Sequence, residues 1–167
     1  MRRFVLLFAS YLLVGNLLLL LPPVKNRFVG PWTMLNARWA VAMAGWGGEE
    51  FQAVGSFVDV GTGGLSVKPG CNGVHALILC IVAILAFPAS WGRRLMGVGL
   101  STAGVFGLNL IRLVNLFYVA RYFPERLEFF HVYVWQTLIA LLAFGIFLGW
   151  GRFLATSPSN APAAQGA

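Results

Sequence analysis

Four long apolar stretches constrain the fold of this chain more than any other feature. They cover residues 4–21, 71–88, 95–120 and 132–150. A transmembrane α-helix rises about 1.5 Å per residue and needs about 20 predominantly apolar residues to cross a bilayer. Only 10% of the residues are charged, whereas a soluble domain has about 25%. The sequence therefore predicts an all-α integral membrane protein with about four transmembrane helices.

The net charge of +7 bears on the partners of the chain. The basic residues flank the apolar stretches and form no dense patch of the kind that nucleic acid requires. Anionic lipid headgroups attract basic residues in this position. We therefore predict contact with membrane lipids and no binding of nucleic acid.

The basic residues also predict the orientation in the membrane. Arg2 and Arg3 precede the first stretch, Arg93 and Arg94 follow the second, and Arg152 follows the fourth. Short segments rich in Arg and Lys stay on the cytoplasmic side. We therefore expect both termini and the turn at Arg93 in the cytoplasm, and the other helix ends at the outer surface.

Residues 1–155 are expected to form one membrane-embedded domain, with residues 24–70 as its extracytoplasmic segment. The first stretch begins like a signal peptide, but Leu-Pro-Pro-Val follows it rather than a small-residue cleavage site, so we interpret it as an anchor. Residues 156–167 read TSPSNAPAAQGA. This small, polar, Pro-containing composition is typical of a disordered tail.

The extracytoplasmic segment contains two recognisable patterns. Bulky apolar residues recur three or four positions apart over residues 32–46, namely Trp32, Leu35, Trp39, Met43 and Trp46. This spacing predicts an amphipathic helix that lies in the membrane interface, with Trp at the headgroups. Residues 57–60 and 65–67 are β-prone and flank a Gly-Thr-Gly-Gly turn, which predicts a short β-hairpin.

The two cysteines, Cys71 and Cys80, are not predicted to form a disulfide. They lie nine residues apart on one predicted helix, which separates them by roughly 13 Å. A disulfide needs Cα atoms within about 7 Å. There is no Cys-x-x-Cys pair, so we predict neither a metal site nor a redox cofactor. Cys80 lies among Leu, Ile and Val and is interpreted as a small buried apolar residue.

Three polar residues are predicted at one depth in the membrane. With Arg93 and Arg94 on the inner side, the third stretch reaches Arg112 roughly 27 Å later. The second stretch begins at Cys71 and the fourth at His131, both at the same outer side. A thiol, a guanidinium and an imidazole at one surface form a candidate nucleophilic site.

Cys71 and Arg112 each have a structural alternative. At a helix start, unpaired backbone N–H groups and the helix dipole favour a thiolate, but a small residue is also tolerated there. Arg112 is the one charge in the run 95–120. Such residues are costly and usually functional, although Arg112 is near enough to the helix end to snorkel. Asn109 lies one turn earlier on the same face and is positioned to orient the guanidinium or a substrate carbonyl.

The spacing leaves two candidates for the proton carrier. His131 comes from another helix, whereas His75 follows Cys71 by four residues and shares a face of the same predicted helix. Either imidazole also fits an interfacial residue that bonds to backbone or lipid.

The third stretch also carries small residues at a regular interval. Gly99, Ala103 and Gly107 recur every four residues. Small residues at this interval let two helices approach closely. We therefore expect this face to contact a neighbouring helix.

Together these motifs resemble those of the exosortase/archaeosortase family of membrane-embedded cysteine transpeptidases. The segment VKPGCNGV at 67–74 resembles the family's Cys-x-Gly motif, NLIR at 109–112 its Asn-x-x-Arg motif, and FFHVYVWQ at 129–136 its later His motif. The short length and the sequence around Cys71 are most similar to exosortase H. Asn72 stands where many relatives have Ser, and His75 is additional.

The resemblance implies a role for each residue. Cys71 is the nucleophile, Arg112 stabilises the oxyanion and His131 transfers protons, while Asn109, Asn72 and His75 bind substrate or support the site. The implied reaction cleaves C-terminal sorting signals of exported proteins through a thioacyl intermediate and transfers the protein to an acceptor.

The resemblance also implies partners and a location. The substrates carry a short motif, a hydrophobic helix and a basic end, and for exosortase H the motif is Ile-Pro-Thr-Leu followed shortly by Trp-Gly. The location is the bacterial inner membrane, with the active site on the periplasmic side. No cofactor is implied.

Two other classes of function remain compatible with the sequence. One is a non-catalytic membrane assembly subunit in which Cys71 is incidental. The other is a small anion transporter in which Arg112 binds the solute. Transporters normally show internal repeats and helices broken at the midplane, whereas the polar residues here gather at one surface.

Overall fold

The structure, a computed structural model, describes residues 2–61, 63–68 and 71–156. Its helices are α1 (Arg2–Leu20), α2 (Pro22–Val24), α3 (Gly30–Gly45), α4 (Val74–Ala86), α5 (Trp91–Tyr122), α6 (Leu127–Phe129) and α7 (Gln136–Thr156). Two π-helical segments, Lys25–Val29 and Phe130–Trp135, and a 3-10 turn, Pro124–Arg126, join some of them. The predicted tail from residue 157 onward lies outside the described residues.

The predicted all-α membrane architecture is confirmed. Within the described residues, three helical segments are long and apolar enough to cross a membrane: Arg2–Leu20, Trp91–Tyr122 and Pro124–Arg152. Helix α4 is a shorter apolar helix of 13 residues. It contacts α1, α5 and α7, and α5 also contacts α7, so the short helix joins the three longer ones.

Helix α4 begins later than the sequence pattern predicted. Gly73 precedes it with φ of 74°, a left-handed conformation that interrupts a helix and suits glycine. Cys71 therefore lies before the helix rather than in its first turn. The second and third helices also meet differently, because α5 begins at Trp91 and includes Arg93 and Arg94, which the sequence analysis assigned to the connecting turn.

The contact between α5 and α7 uses a different set of small residues from the predicted one. A Cβ atom on Gly97 would lie 2.6 Å from Nε1 of Trp150, and one on Gly104 would lie 3.1 Å from Cδ1 of Ile146. A Cβ on Gly99 or Gly107 would meet nothing within 4 Å. The predicted face was wrong because spacing gives the periodicity of a small-residue stripe but not the side of the helix that meets a neighbour.

Helix α3 packs on α5 through small and polar residues. Its buried residues are Thr33, Asn36, Ala37, Ala40 and Ala44. The bulky residues of the predicted amphipathic pattern divide: Trp32 and Met43 are partly buried, whereas Trp39 and Trp46 are 54% and 88% exposed. Exposed Trp side chains suit the headgroup region of a membrane.

The predicted hairpin is present and has a third strand. Strands β1 (Gln52–Val54), β2 (Phe57–Asp59) and β3 (Gly64–Ser66) form an antiparallel sheet in the order β1-β2-β3. Apolar residues of this region pack in one cluster with α3 and with the outer half of α5; they include Phe51, Val58, Val60, Val67, Leu110, Leu113 and Phe117. The sheet thereby covers the part of α5 that carries Arg112.

Candidate active site

The structure brings Cys71 and His131 together. The Cys71 Sγ lies 2.7 Å from Nε2 of His131, although 60 residues separate them. His131 is part of the π-helical segment Phe130–Trp135, and Trp135 Nε1 donates to Oδ1 of Asn115 on α5 at 2.8 Å. The Cys71 N–H donates to the carbonyl oxygen of Lys68 at 2.8 Å. A hydrogen bond thus holds the loop that carries Cys71, and another holds the helical segment that carries His131.

Cys71 does not use the helix start that the sequence analysis assigned to it. The first N–H of α4, that of Val74, donates to Oδ1 of Asn72 at 3.1 Å. Gly73 then separates the thiol from the helix by a left-handed turn. The predicted position of Cys71 in the first turn of α4 is therefore wrong, because Asn72 and Gly73 lie between the thiol and the helix.

Arg112 is the third predicted residue of the site. Its side chain is only 2% exposed, so it does not snorkel to the outer surface. The guanidinium interacts electrostatically with both Cys71 and His131. Its Nε and Nη2 atoms are buried without a hydrogen-bond partner in the described part of the chain. Buried donors are normally paired, and an unpaired buried cation is costly. This arrangement favours an anionic partner supplied from outside the protein.

Cys71 and His131 line a cavity of about 260 Å³, which we call the thiol cavity. Part of the lining comes from the end of the sheet, and part from the C-terminal half of α5 and the helical segments that follow it. The lining residues are Leu65, Ser66, Val67, Lys68, Cys71, Leu113, Leu116, Leu127, Glu128 and His131. The cavity is largely apolar, with the thiol and imidazole exposed to its interior.

His75 lies in a different cavity of about 190 Å³, which we call the His75 cavity. Its other polar lining residues are Arg112 and Gln136, above apolar side chains of α4 and α7 that include Leu79 and Ala143. His75 is exposed, and the i+4 relation to Cys71 fails because α4 begins only at Val74. The sequence analysis did not identify Gln136. The one signal for it was a polar amide side chain within the apolar stretch 132–150.

Asn72 fastens the thiol-bearing loop to α3. Its side-chain Nδ2 donates to Oγ1 of Thr33 at 2.8 Å, and its carbonyl oxygen accepts from Nε1 of Trp32 at 2.8 Å. Asn72 is fully buried. The structure thus gives this residue a positioning role, and Thr33 is a partner that sequence reasoning did not identify.

Asn109 fastens α5 to α3 in the same way. Its Nδ2 donates to Oδ1 of Asn36 at 2.9 Å, and Asn36 Nδ2 donates to the carbonyl oxygen of Trp32 at 2.8 Å. A Cβ on Gly73 would lie 3.3 Å from Cγ of Asn109, so the loop before α4 rests on this amide. The Oδ1 atom of Asn109 is buried without a partner. Its predicted bond to the guanidinium or to substrate stays a prediction.

Cys80 lies apart from the site. It is 2% exposed, and its Sγ contacts the carbonyl oxygen of Ala143 at 3.8 Å. Both cysteines are free thiols. This agrees with the interpretation of Cys80 as a small buried residue.

Comparison with known proteins gives one family. The model of the family described as Transmembrane exosortase (Exosortase_EpsH) matches residues 2–149. The match covers most of the chain and includes Cys71, Arg112 and His131. Searches of curated proteins and of solved structures found no match.

Proposed function

Because the chain belongs to the transmembrane exosortase family, we propose that it is a membrane-embedded cysteine transpeptidase. It cleaves the C-terminal sorting signal of an exported protein and transfers the shortened protein to an acceptor. The observation that carries this proposal is the 2.7 Å contact between Cys71 Sγ and His131 Nε2 beside the buried Arg112.

In the first step Cys71 becomes acylated. His131 Nε2 accepts the thiol proton as Sγ attacks the carbonyl carbon of the scissile peptide bond. The electron pair of the C=O bond moves to oxygen and forms an oxyanion. When the C–N bond breaks, His131 returns the proton to the leaving amine, and a thioester remains on Cys71.

Arg112 supports the charged state of this step. Its Nε and Nη2 donors are buried and unpaired in the described residues, so hydrogen bonds to an oxyanion would satisfy them. Donors fixed in a site that excludes water stabilise developing charge most strongly. The planar fork of a guanidinium also allows two hydrogen bonds to one anionic group.

In the second step an acceptor resolves the thioester. An amine or hydroxyl of the acceptor attacks the thioester carbonyl, and His131 accepts its proton. Collapse of the tetrahedral intermediate breaks the C–S bond, and the proton returns to Sγ. The enzyme is then ready for another sorting signal.

Trapping the thioester tests the proposed reaction. We expect a protein with the Ile-Pro-Thr-Leu type of sorting signal to form a hydroxylamine-sensitive adduct on Cys71, detected by mass spectrometry. Cys71→Ala should reduce processing below detection. Cys80→Ala is the matched control and should process normally, because Cys80 is buried away from the site. Normal processing by Cys71→Ala would favour a non-catalytic assembly subunit.

The site is proposed to face the periplasm, where exported proteins arrive. The support is the basic pair Arg93 and Arg94 at the opposite end of α5 from Arg112. In a chain without native cysteines, Glu50→Cys should react with a membrane-impermeant maleimide added outside intact cells. Ser90→Cys should react only after the membrane is opened. The reverse labelling pattern would contradict this orientation. It would place the Cys71 thiol on the side of the membrane away from exported substrates.

A further inference from the structure

Strand β3 forms one edge of the sheet, and no strand pairs with its outer side within the described residues. An unpaired edge presents a row of backbone N–H and C=O groups and is a template for another strand. Proteins commonly protect such edges with Lys, Pro or a bulge. Strand β3 has the sequence Gly64-Leu65-Ser66 and carries none of these residues.

The hydrogen-bond register identifies which groups face outward. Val67 N–H donates to the Ser56 carbonyl at 2.8 Å, and Val60 N–H donates to the Gly63 carbonyl at 3.0 Å. Bonded and non-bonded pairs alternate in an antiparallel ladder. The pair Phe57 and Ser66 is therefore non-bonded. The N–H and C=O groups of Ser66 point away from β2, as do those of Gly64 two residues earlier.

The thiol cavity runs along this edge. Four consecutive residues line it, Leu65 through Lys68. Leu65 and Ser66 belong to β3, and Val67 continues its ladder through the bond to Ser56. Successive side chains of a strand point to opposite faces, so a cavity lined by these three residues follows the edge rather than one face. The Cys71 N–H is bonded to the Lys68 carbonyl, so the thiol lies next to the end of the same edge.

We infer that the segment of the sorting signal around the scissile bond binds as an added β-strand on the free edge of β3. This inference rests on the proposed function and specifies how its substrate is held. The outward N–H and C=O of Ser66 pair with the peptide backbone and direct the scissile carbonyl toward Cys71. Main-chain pairing supplies affinity, and pockets for alternate side chains supply specificity.

The cavity also fits the side chains of such a strand. Leu113 and Leu116 of α5 and Leu127 also line the cavity and supply apolar surface. One side chain of the bound strand packs on this surface, and the next points away from it because strand side chains alternate. Specificity is therefore expected at every second residue of the substrate.

Substitutions at the sheet edges test the inference. Ser66→Pro removes an outward N–H, and proline is tolerated at an edge where the N–H faces outward. We expect processing at limiting substrate to fall about tenfold or more, since at least one backbone hydrogen bond is lost and the ring obstructs pairing. Ser66→Ala keeps the N–H and should lose much less than Ser66→Pro.

The opposite edge of the sheet offers a matched control. Ala53 lies on β1 opposite Val58, and Val58 pairs toward β3, so the N–H of Ala53 points away from β2. Ala53→Pro should therefore process its substrate within about twofold of the unaltered protein, because proline there removes no hydrogen bond to β2 and Ala53 does not line the thiol cavity. Equal processing by Ser66→Pro and Ala53→Pro, with Cys71 still required, would overturn the strand inference and leave the transpeptidase proposal intact.

If Ser66→Pro fails to fold, a peptide-binding experiment tests the strand inference instead. The probe is a short fluorescein-labelled peptide with the Ile-Pro-Thr-Leu and Trp-Gly elements, bound to Cys71→Ala protein in lipid nanodiscs. Single N-methylation at each residue other than proline should weaken binding at every second position of the peptide, because alternate N–H groups face β3. Absent binding, or a scan without this alternation, overturns the inference. The result does not depend on the reaction, since this variant lacks the thiol.

Discussion

The thiol cavity and the His75 cavity show how differently two histidines of one chain are used. In the thiol cavity His131 touches the sulfur of Cys71 across 60 residues of sequence. In the His75 cavity an exposed imidazole lies near Gln136, although His75 is only four residues from the same cysteine. Arg112 lines the His75 cavity and interacts electrostatically with Cys71. Distance along the chain was therefore a poor guide to which imidazole serves the thiol.

The largest expected difference between the cavities is the loss of His131. His131→Ala removes the imidazole that contacts Sγ, and a positioned acid or base contributes about 10²–10⁴-fold to a rate. We expect processing to fall by that order while membrane insertion is retained. The measurement is the initial rate of thioester formation in purified protein. If processing survived this change and disappeared in His75→Ala, the assignment of the proton carrier would be wrong.

Replacement of Arg112, which lines the His75 cavity and interacts electrostatically with Cys71, should have the next largest effect. Arg112→Lys keeps a positive charge but loses the planar fork that can hold an oxyanion with two donors. We expect a loss of about 10²–10³-fold in the rate of acylation, comparable with the removal of an oxyanion donor. Single-turnover kinetics would separate this loss from weaker substrate binding. A near-normal rate would mean that the charge alone, and not its geometry, is used.

The smallest effect is expected in the His75 cavity. His75→Ala changes an exposed side chain. His75 does not share a helix face with Cys71, because α4 begins only after Gly73. Substitutions away from a reacting site usually cost little, so we expect processing within about threefold of the unaltered protein. Parallel assays of His75→Ala and His131→Ala at equal protein levels measure the contrast directly. Equal losses in both variants would remove the distinction between the cavities.

Much of the architecture was accessible from the sequence. The lengths of the apolar stretches predicted an all-α membrane protein, and the turn residues at 61–64 predicted a hairpin, which the structure extends by one strand. The helix contact at Gly99 and Gly107 was wrong, because a period does not specify the side of a helix that meets its neighbour. The start of α4 was wrong because a run of apolar residues does not reveal a left-handed glycine at its beginning.

The supporting residues were the least accessible part of the site. Thr33 and Asn36 hold Asn72 and Asn109, yet both lie in a segment whose clearest pattern is its bulky apolar face. The buried positions of α3 are its small and polar residues, Thr33, Asn36, Ala37, Ala40 and Ala44. Small and polar residues let helices pack closely and bond to one another, so these positions were the better indication.

By itself the sequence determined that this chain is a helical membrane protein. It also predicted that Cys71, Arg112 and His131 lie at one depth, because helix rise relates the position in a span to its depth in the bilayer. It could not determine which groups meet at that depth, since depth leaves the position within the membrane plane free. The packing of α3, the sheet and the segment after α5 decided this. This packing brought His131 into contact with Cys71 and buried Arg112. It also placed the free edge of β3 along the thiol cavity. These contacts join residues distant in sequence, and only close packing in three dimensions selects them.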